Sequence, residues 1–123
     1  MFDKELVYEI LTQLSASIET IQLRFAPIKT TEDFTETPDG KEKLDSICMQ
    51  LIALGESLKN LDKITNGKLL SRFPEIDWRG AKGMRDIICH HYFDIDADAI
   101  FLVCQEKLEP ISKVIKEITK ELL

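Results

Sequence analysis

The sequence has few of the residues that would indicate a cross-linked, metal-bound or membrane-embedded protein. Its 123 residues include three cysteines, Cys48, Cys89 and Cys104, and two histidines. An odd cysteine count without CxxC spacing argues against a disulfide scaffold or a zinc knuckle, so we expect reduced thiols in a cytoplasmic protein. No run approaches the ~20 apolar residues that span a bilayer. The charged N-terminal segment also lacks the apolar centre of a secretion signal, and we therefore expect no membrane association.

Alternation of apolar and polar residues, which would indicate β-strands, is also missing, and helical spacing takes its place. Apolar residues at three- and four-residue intervals predict a first helix that is stopped by Pro27. Its apolar stripe is predicted to consist of Leu6, Ile10, Leu14, Ile18 or Ile21, and Phe25, widened by Val7 and Leu11. Residues 30–40 are predicted to be a connector with one short helical turn, closed by the Pro-Asp-Gly sequence at 38–40. A second long helix is predicted over about 41–62, with Asn66-Gly67 as its stop signal. Its inward-facing residues are predicted to be Leu44, Ile47, Leu51, Leu54, Leu58 and Leu61.

The second half of the chain predicts two more helices. Asp77 is a suitable N-cap for a third helix that runs to about His91, and Asp96 for a last helix that is kinked or restarted at Pro110. Four long helical stretches with short connectors predict an all-α fold. We expect a single domain over residues 1–123, an up-and-down four-helix bundle with short additional helices.

The net charge at first excludes one class of function. The chain has 16 basic and 22 acidic residues, a formal charge of −6, whereas a protein that coats nucleic acid is normally basic. Residues 63–85, however, carry six basic residues against two acidic ones, so this segment is +4 and the remainder is −10. Such segregation is compatible with one focused cleft for RNA and with acidic surface elsewhere for a basic partner.

Chemically active side chains cluster between Trp78 and Tyr92. On a helix, Arg85 and Tyr92 share one face, and Asp86 and His90 form an i, i+4 pair in which the carboxylate can orient the imidazole. Ala81, Met84 and Ile88 are predicted to face the core. The same pattern also fits a solvated helix face whose charges form ordinary ion pairs and caps.

Two other types of site fit the residues poorly. A metal ion held by His90 with Asp86, or by Cys89 with a neighbouring histidine and Asp94, would have only two ligands on one face, so we expect no metal and no cofactor. A nucleophilic Cys89 paired with a histidine would lack a group to orient the base, and Cys89 is instead compatible with simple packing.

The third predicted helix, from Asp77 to about His91, resembles the helix that carries the sequence motif of a known family, and we call it the motif helix. Arg85, His90 and Tyr92 reproduce the Arg-x-x-x-x-His-x-Tyr signature of HepT-like proteins, a toxin branch of the HEPN superfamily. Four further segments between about Ile18 and Ile118 resemble the family pattern in order: Leu54-Gly55-Glu56-Ser57, Phe73-Pro74-Glu75-Ile76-Asp77-Trp78, Tyr92-Phe93-Asp94-Ile95-Asp96, and Gln105-Glu106-x-Leu108-x-Pro110. The motif helix carries Asp77 where the family often has Pro, and Asp86 in a slot that is often Asn.

The resemblance implies a HEPN-like bundle that acts as a metal-independent ribonuclease on RNA rather than DNA. It assigns catalysis to Arg85, Asp86 and His90, in a composite cleft of a homodimer. It also implies a partner, a minimal nucleotidyltransferase antitoxin, that transfers AMP to Tyr92 and silences the toxin. His91, Lys82 and Arg79 are auxiliary candidates, and His91 fills a variable slot where it would assist or compete with His90.

The glycines have separate interpretations. Gly55 in mid-helix predicts close packing against another helix, because glycine otherwise weakens a helix. Gly80 and Gly83 either permit the close approach of a helix or phosphate, or are simply tolerated near a helix start.

A second class of function stays open. Related all-α domains serve as non-catalytic subunits that hold a nucleotide or partner for a nucleotidyltransferase, and the motif helix would then bind without cleaving. A third hypothesis is that the chain acts only as a dimerisation module, which leaves the Arg-x-x-x-x-His-x-Tyr motif unexplained.

Overall fold

The computed structural model describes residues 2–88 and 94–123, and these residues form an all-α bundle without a β-strand. The helices are α1 (Lys4–Phe25), α2 (Glu32–Thr35), α3 (Pro38–Ile64), α4 (Trp78–Lys82), α5 (Met84–Ile88), α6 (Ala97–Leu102) and α7 (Leu108–Leu122). A 3-10 turn covers Leu70–Arg72, and a π-helical turn at Val103–Lys107 joins α6 to α7. The predicted fold class is confirmed.

The long helix α3 lies at the centre of the bundle. It packs against α1, α2, α4, α5 and α6, and α1 also packs against α7. The residues predicted to face inward on α3 are all buried: Leu44, Ile47, Leu51, Leu54, Leu58 and Leu61. On α1 the predicted apolar stripe is buried from Val7 to Ile21, but Leu6 is 41% exposed. None of the helices described is long and apolar enough to cross a membrane.

The start of α3 differs from the prediction. The Pro-Asp-Gly sequence at 38–40 does not close a loop, because α3 already begins at Pro38. Thr37 is its N-cap, and its Oγ1 accepts a hydrogen bond of 2.9 Å from the Gly40 N–H. Proline is favoured at the first position of a helix, where its missing N–H costs nothing. The predicted stop is confirmed, since Asn66 and Gly67 both have positive φ, 55° and 70°.

The last helical stretch contains a wider irregularity than the predicted kink. The Leu108 N–H bonds to the Val103 carbonyl, five residues earlier, within the π-helical turn, and Pro110 lies in the first turn of α7. Proline cannot donate a backbone hydrogen bond, so the regular ladder is interrupted just before it. The predicted cap at Asp96 is confirmed by a 3.0 Å hydrogen bond from the Ala99 N–H.

Candidate functional site

The segment before the motif is fixed by one cap and one buried aromatic side chain. Asp77 Oδ1 accepts a hydrogen bond of 3.0 Å from the Gly80 N–H and thereby caps α4, as predicted. The indole N–H of Trp78 donates to the Phe73 carbonyl at 2.9 Å, and the Trp78 side chain is buried. A methyl group on Gly80 would collide with the Asp77 carboxylate. The nearest neighbour of Gly80 is therefore the capping side chain itself and not another helix.

The predicted division into a buried and an exposed face is confirmed for the described part of the motif. Ala81, Met84 and Ile88 are buried against the core, whereas Arg85 and Asp86 are exposed. The helix is not continuous, because it is interrupted at Gly83 between α4 and α5. Arg85 and Asp86 thus lie on a short helix that begins immediately after the interruption.

Gly55 holds α4 and α5, which together we call the motif segment, close to α3. A β-carbon at this position would lie 2.9 Å from the carbonyl oxygen of Ala81 and 3.2 Å from that of Lys82. Real β-carbons essentially never approach another atom so closely, so only glycine fits without a shift of α4. The predicted close packing of two helices at Gly55 is confirmed.

Lys82 joins the same two elements through an ion pair. Its Nζ lies 2.7 Å from Asp62 Oδ2 near the end of α3, and the two side chains are 28% and 26% exposed. Sequence reasoning did not identify Asp62, because no pattern relates residues that lie twenty positions apart on different helices. In this conformation the Lys82 ammonium is engaged with a carboxylate, whereas Arg79, the other basic auxiliary candidate, is exposed.

Two of the six basic side chains in the basic segment, residues 63–85, therefore form ion pairs with carboxylates. Arg72 donates to both carboxylate oxygens of Glu121 at 3.0 and 2.9 Å, and its guanidinium lies 5.3 Å from the centre of the Phe73 ring. The remaining four cations are exposed and form no ion pair with any residue that the structure describes: Lys63, Lys68, Arg79 and Arg85.

The other predicted site residues, His90, His91 and Tyr92, lie outside the described residues, as does Cys89. Their relation to Arg85 and Asp86 therefore stays a prediction. The described chain on either side is anchored, because the Asp96 N–H donates to the Ile88 carbonyl at 2.8 Å.

The described residues offer little metal or thiol chemistry. Residues 2–88 and 94–123 contain no group of three or more His, Cys, Asp or Glu side chains that would hold a metal ion. Burial raises the pKa of the Cys104 thiol to about 12, so this thiol is protonated at neutral pH and is a poor nucleophile.

Similar proteins are named for RNA cleavage. The family described as "Ribonuclease HepT-like" matches residues 14–118. A candidate RNase of Methanocaldococcus jannaschii is 27% identical over 116 residues, which are 94% of this chain and 86% of that protein. A candidate RNase of Caldanaerobacter subterraneus subsp. tengcongensis is 27% identical over 90 residues, 73% of this chain and 74% of that protein.

A longer M. jannaschii protein, named as a gamma-glutamylcyclotransferase and candidate RNase, is 27% identical over 112 residues. This chain spans 47% of its length. No solved structure is significantly similar to the chain.

Proposed function

The chain belongs to the HepT-like ribonuclease family, and we propose that it is a metal-independent ribonuclease that cleaves RNA in a cleft shared by two copies of the chain. The observation that carries the proposal is the exposure of Arg85 and Asp86. Both lie on the exposed face of the motif segment, whose opposite face is buried. The same segment lies close to α3 at Gly55. An arginine without an ion-pair partner in the described chain is available to a phosphate.

The residue types suit cleavage by the RNA's own 2′-hydroxyl. That oxygen attacks the phosphorus and loses its proton to a base, while the departing 5′-oxygen takes a proton from an acid. His90 is the motif residue that exchanges protons near neutral pH, Arg85 neutralises the pentacovalent phosphate, and Asp86 orients His90 or stabilises its protonated form. His91, Arg79 and Lys82 are auxiliary to these three.

The proposal includes a homodimer because one imidazole cannot be both base and acid in the same step. A two-fold dimer that brings two motif helices together supplies two histidines and two arginines to one cleft. The Arg85 side chain has the exposure that such an arrangement requires.

We propose that the activity belongs to a toxin whose partner is a minimal nucleotidyltransferase antitoxin. The Tyr92 oxygen would lose its proton and attack the α-phosphorus of ATP, and pyrophosphate would leave. The phosphate of the attached AMP would then lie beside Arg85 and His90, where it would compete with the substrate phosphate. The test is intact-mass measurement after incubation with the partner transferase and ATP. The mass of one AMP is expected on the wild type and not on Tyr92→Phe, and its retention on Tyr92→Phe would contradict the assignment.

The test of the nuclease is RNA cleavage by the purified protein in the presence of a metal chelator. We expect activity in the wild type, a loss of about 10²- to 10⁴-fold in His90→Ala and of about 10²- to 10³-fold in Arg85→Ala. Arg85→Lys should recover part of the lost activity because it keeps the positive charge. The recovery should be incomplete because lysine cannot form the bidentate contact with a phosphate. Lys116→Ala, which removes an exposed charge on α7, is the matched control.

Three outcomes would contradict the proposal. Equal cleavage by the wild type and both motif variants would assign the activity to a contaminant. RNA or nucleotide binding without cleavage would favour the non-catalytic subunit, and activity abolished by the chelator would indicate a metal enzyme.

A further inference from the structure

A groove runs beside α4 and α5, and neither Arg85 nor Asp86 is among its described lining residues. Its volume is about 350 Å³, and it lies between the α4–α5 segment and the stretch formed by α6, the π-helical turn and α7. Buried apolar residues form its floor, among them Met84, Val103 and Ile111.

Two large apolar side chains line this groove and are nevertheless exposed. Ile87 of α5 is 44% exposed and Leu102 at the end of α6 is 48% exposed. Either alone would be unremarkable, because single apolar side chains are common on protein surfaces. Here both border the same apolar groove, so an occupant would remove both from water.

The charges that line the groove differ in sign from those of the basic segment. Three exposed carboxylates, Glu75, Asp77 and Glu106, line it together with one ammonium, Lys107. The described lining residues thus carry a net charge of −2, which repels an RNA phosphate backbone and attracts cations. The sequence places these carboxylates in two segments about thirty residues apart, and the fold brings them to one groove.

We propose that this groove binds an amphipathic helix of a partner protein whose apolar stripe is flanked by lysine or arginine. A groove between helices receives such a helix through apolar side chains spaced three and four residues apart. The apolar anchors contact the floor, Ile87 and Leu102, and the basic side chains lie beside Glu75 and Glu106. The inference does not depend on the proposed nuclease activity.

The test uses a fluorescein-labelled amphipathic helix of leucine and lysine, with a leucine and glutamate helix of the same pattern as its counterpart. Fluorescence anisotropy with the wild-type protein should show saturable binding of the lysine helix and at least about tenfold weaker binding of the glutamate helix. Equal binding of the two helices would overturn the proposal.

A pair of matched variants separates the groove from general attraction between an acidic protein and a basic peptide. Leu102→Asp and Leu23→Asp each place one negative charge at an exposed leucine, and Leu23 is 77% exposed on α1. General attraction predicts that both variants bind the lysine helix at least as tightly as the wild type. The groove predicts about tenfold weaker binding for Leu102→Asp only, because an apolar anchor is lost.

Charge reversal provides the complementary measurement. The double variant Glu75→Lys with Glu106→Lys should shift the preference towards the glutamate helix, whereas Glu117→Lys on the exposed face of α7 should leave it unchanged. Light scattering tests the alternative occupant: a dimer that Leu102→Asp dissociates would assign the groove to a second copy of the chain and overturn the proposal.

Discussion

Gly55 sets the distance between α3 and the motif segment because it lacks a single methyl group. Replacement by alanine would favour α3 as an isolated helix by up to about 1 kcal/mol. In the bundle, the new β-carbon would lie 2.9 Å from the Ala81 carbonyl oxygen, and backbone atoms cannot rotate away as a flexible side chain can. The energetic cost of this clash therefore exceeds the gain in helix propensity, and the motif segment must move.

We predict that Gly55→Ala lowers the free energy of unfolding by about 1–3 kcal/mol, the usual cost of overpacking. Urea denaturation measures it. Asn60→Ala, at an exposed position of the same helix, is the control, and it should leave stability unchanged or raise it slightly. A Gly55→Ala protein as stable as Asn60→Ala would show that the helices are not in close contact.

Cys104 illustrates a thiol whose burial controls its ionisation. Its pKa rises from 9.0 to about 12 because burial penalises the thiolate. In the unfolded chain the thiol ionises near 9.0, so the unfolded state gains favourable ionisation as the pH rises above that value. The corresponding stability is fully present below pH 9 and is lost progressively as the pH approaches 12.

We predict that the wild type loses stability more steeply above pH 9 than Cys104→Ala does. The measurement is the difference in the free energy of unfolding between the two proteins as a function of pH. This difference cancels the other groups that titrate in the same range. It should be constant below pH 9 and shrink above it, and a constant difference throughout would mean that Cys104 ionises normally.

Some residue-scale features were predictable and others were not. A glycine in the middle of a long amphipathic helix stands out because it weakens the helix, so the sequence indicated the close contact at Gly55. The Asp62–Lys82 ion pair carries no such sign. Both residues are ordinary polar side chains at helix positions, and their contact depends on how α4 lies across α3.

Among the secondary structure elements, the short helix α4 depends on its cap. It has five residues, too few for a helix to be stable by itself, and Asp77 satisfies a backbone N–H at its start. Trp78 anchors the same end through its indole N–H and its buried ring. The cap thus positions the segment that leads to Arg85.

We predict that Asp77→Ala lowers the free energy of unfolding by about 0.5–2 kcal/mol, whereas Asp77→Asn stays close to the wild type because the amide oxygen still accepts the hydrogen bond. Asp98→Ala, an exposed acidic residue in the first turn of α6, is the control for loss of a charge alone. Equal stability of the alanine and asparagine variants at position 77 would show that the side chain does not cap.

Helix ends were easier to predict than irregularities within helices. Asp77, Asp96 and the Asn66-Gly67 pair mark boundaries because their side chains or backbone angles satisfy the terminal groups locally. The interruption at Gly83 and the π-helical turn at Val103–Lys107 were marked less sharply, because Pro110 indicated a kink but not its extent, and Gly83 did not indicate a break. They arise where packing against α3 and the missing N–H of Pro110 disturb a regular ladder.

For the molecule as a whole, the distribution of charge matters more than its sum. The formal charge of −6 would exclude RNA, yet four exposed cations of segment 63–85 have no ion-pair partner in the described chain. Arg72 and Lys82 are already bound to Glu121 and Asp62. The structure therefore separates the cations with an ion-pair partner from those without one in the described chain, a difference that the net charge does not show. We expect the second group to contribute more to RNA affinity.

This distinction predicts how RNA binding responds to salt. In a His90→Ala background, in which we expect cleavage to be at least about 10²-fold slower, the slope of log affinity against log salt concentration measures the neutralised phosphates, at about 0.7 per contact for single strands. We predict that Arg79→Ala reduces the slope by about 0.7, because its exposed guanidinium is available to a phosphate. Arg72→Ala should change it less, since that charge is neutralised by Glu121. Lys116→Ala on α7 should not change it, and equal slopes for all three variants would mean that the positive segment does not face the RNA.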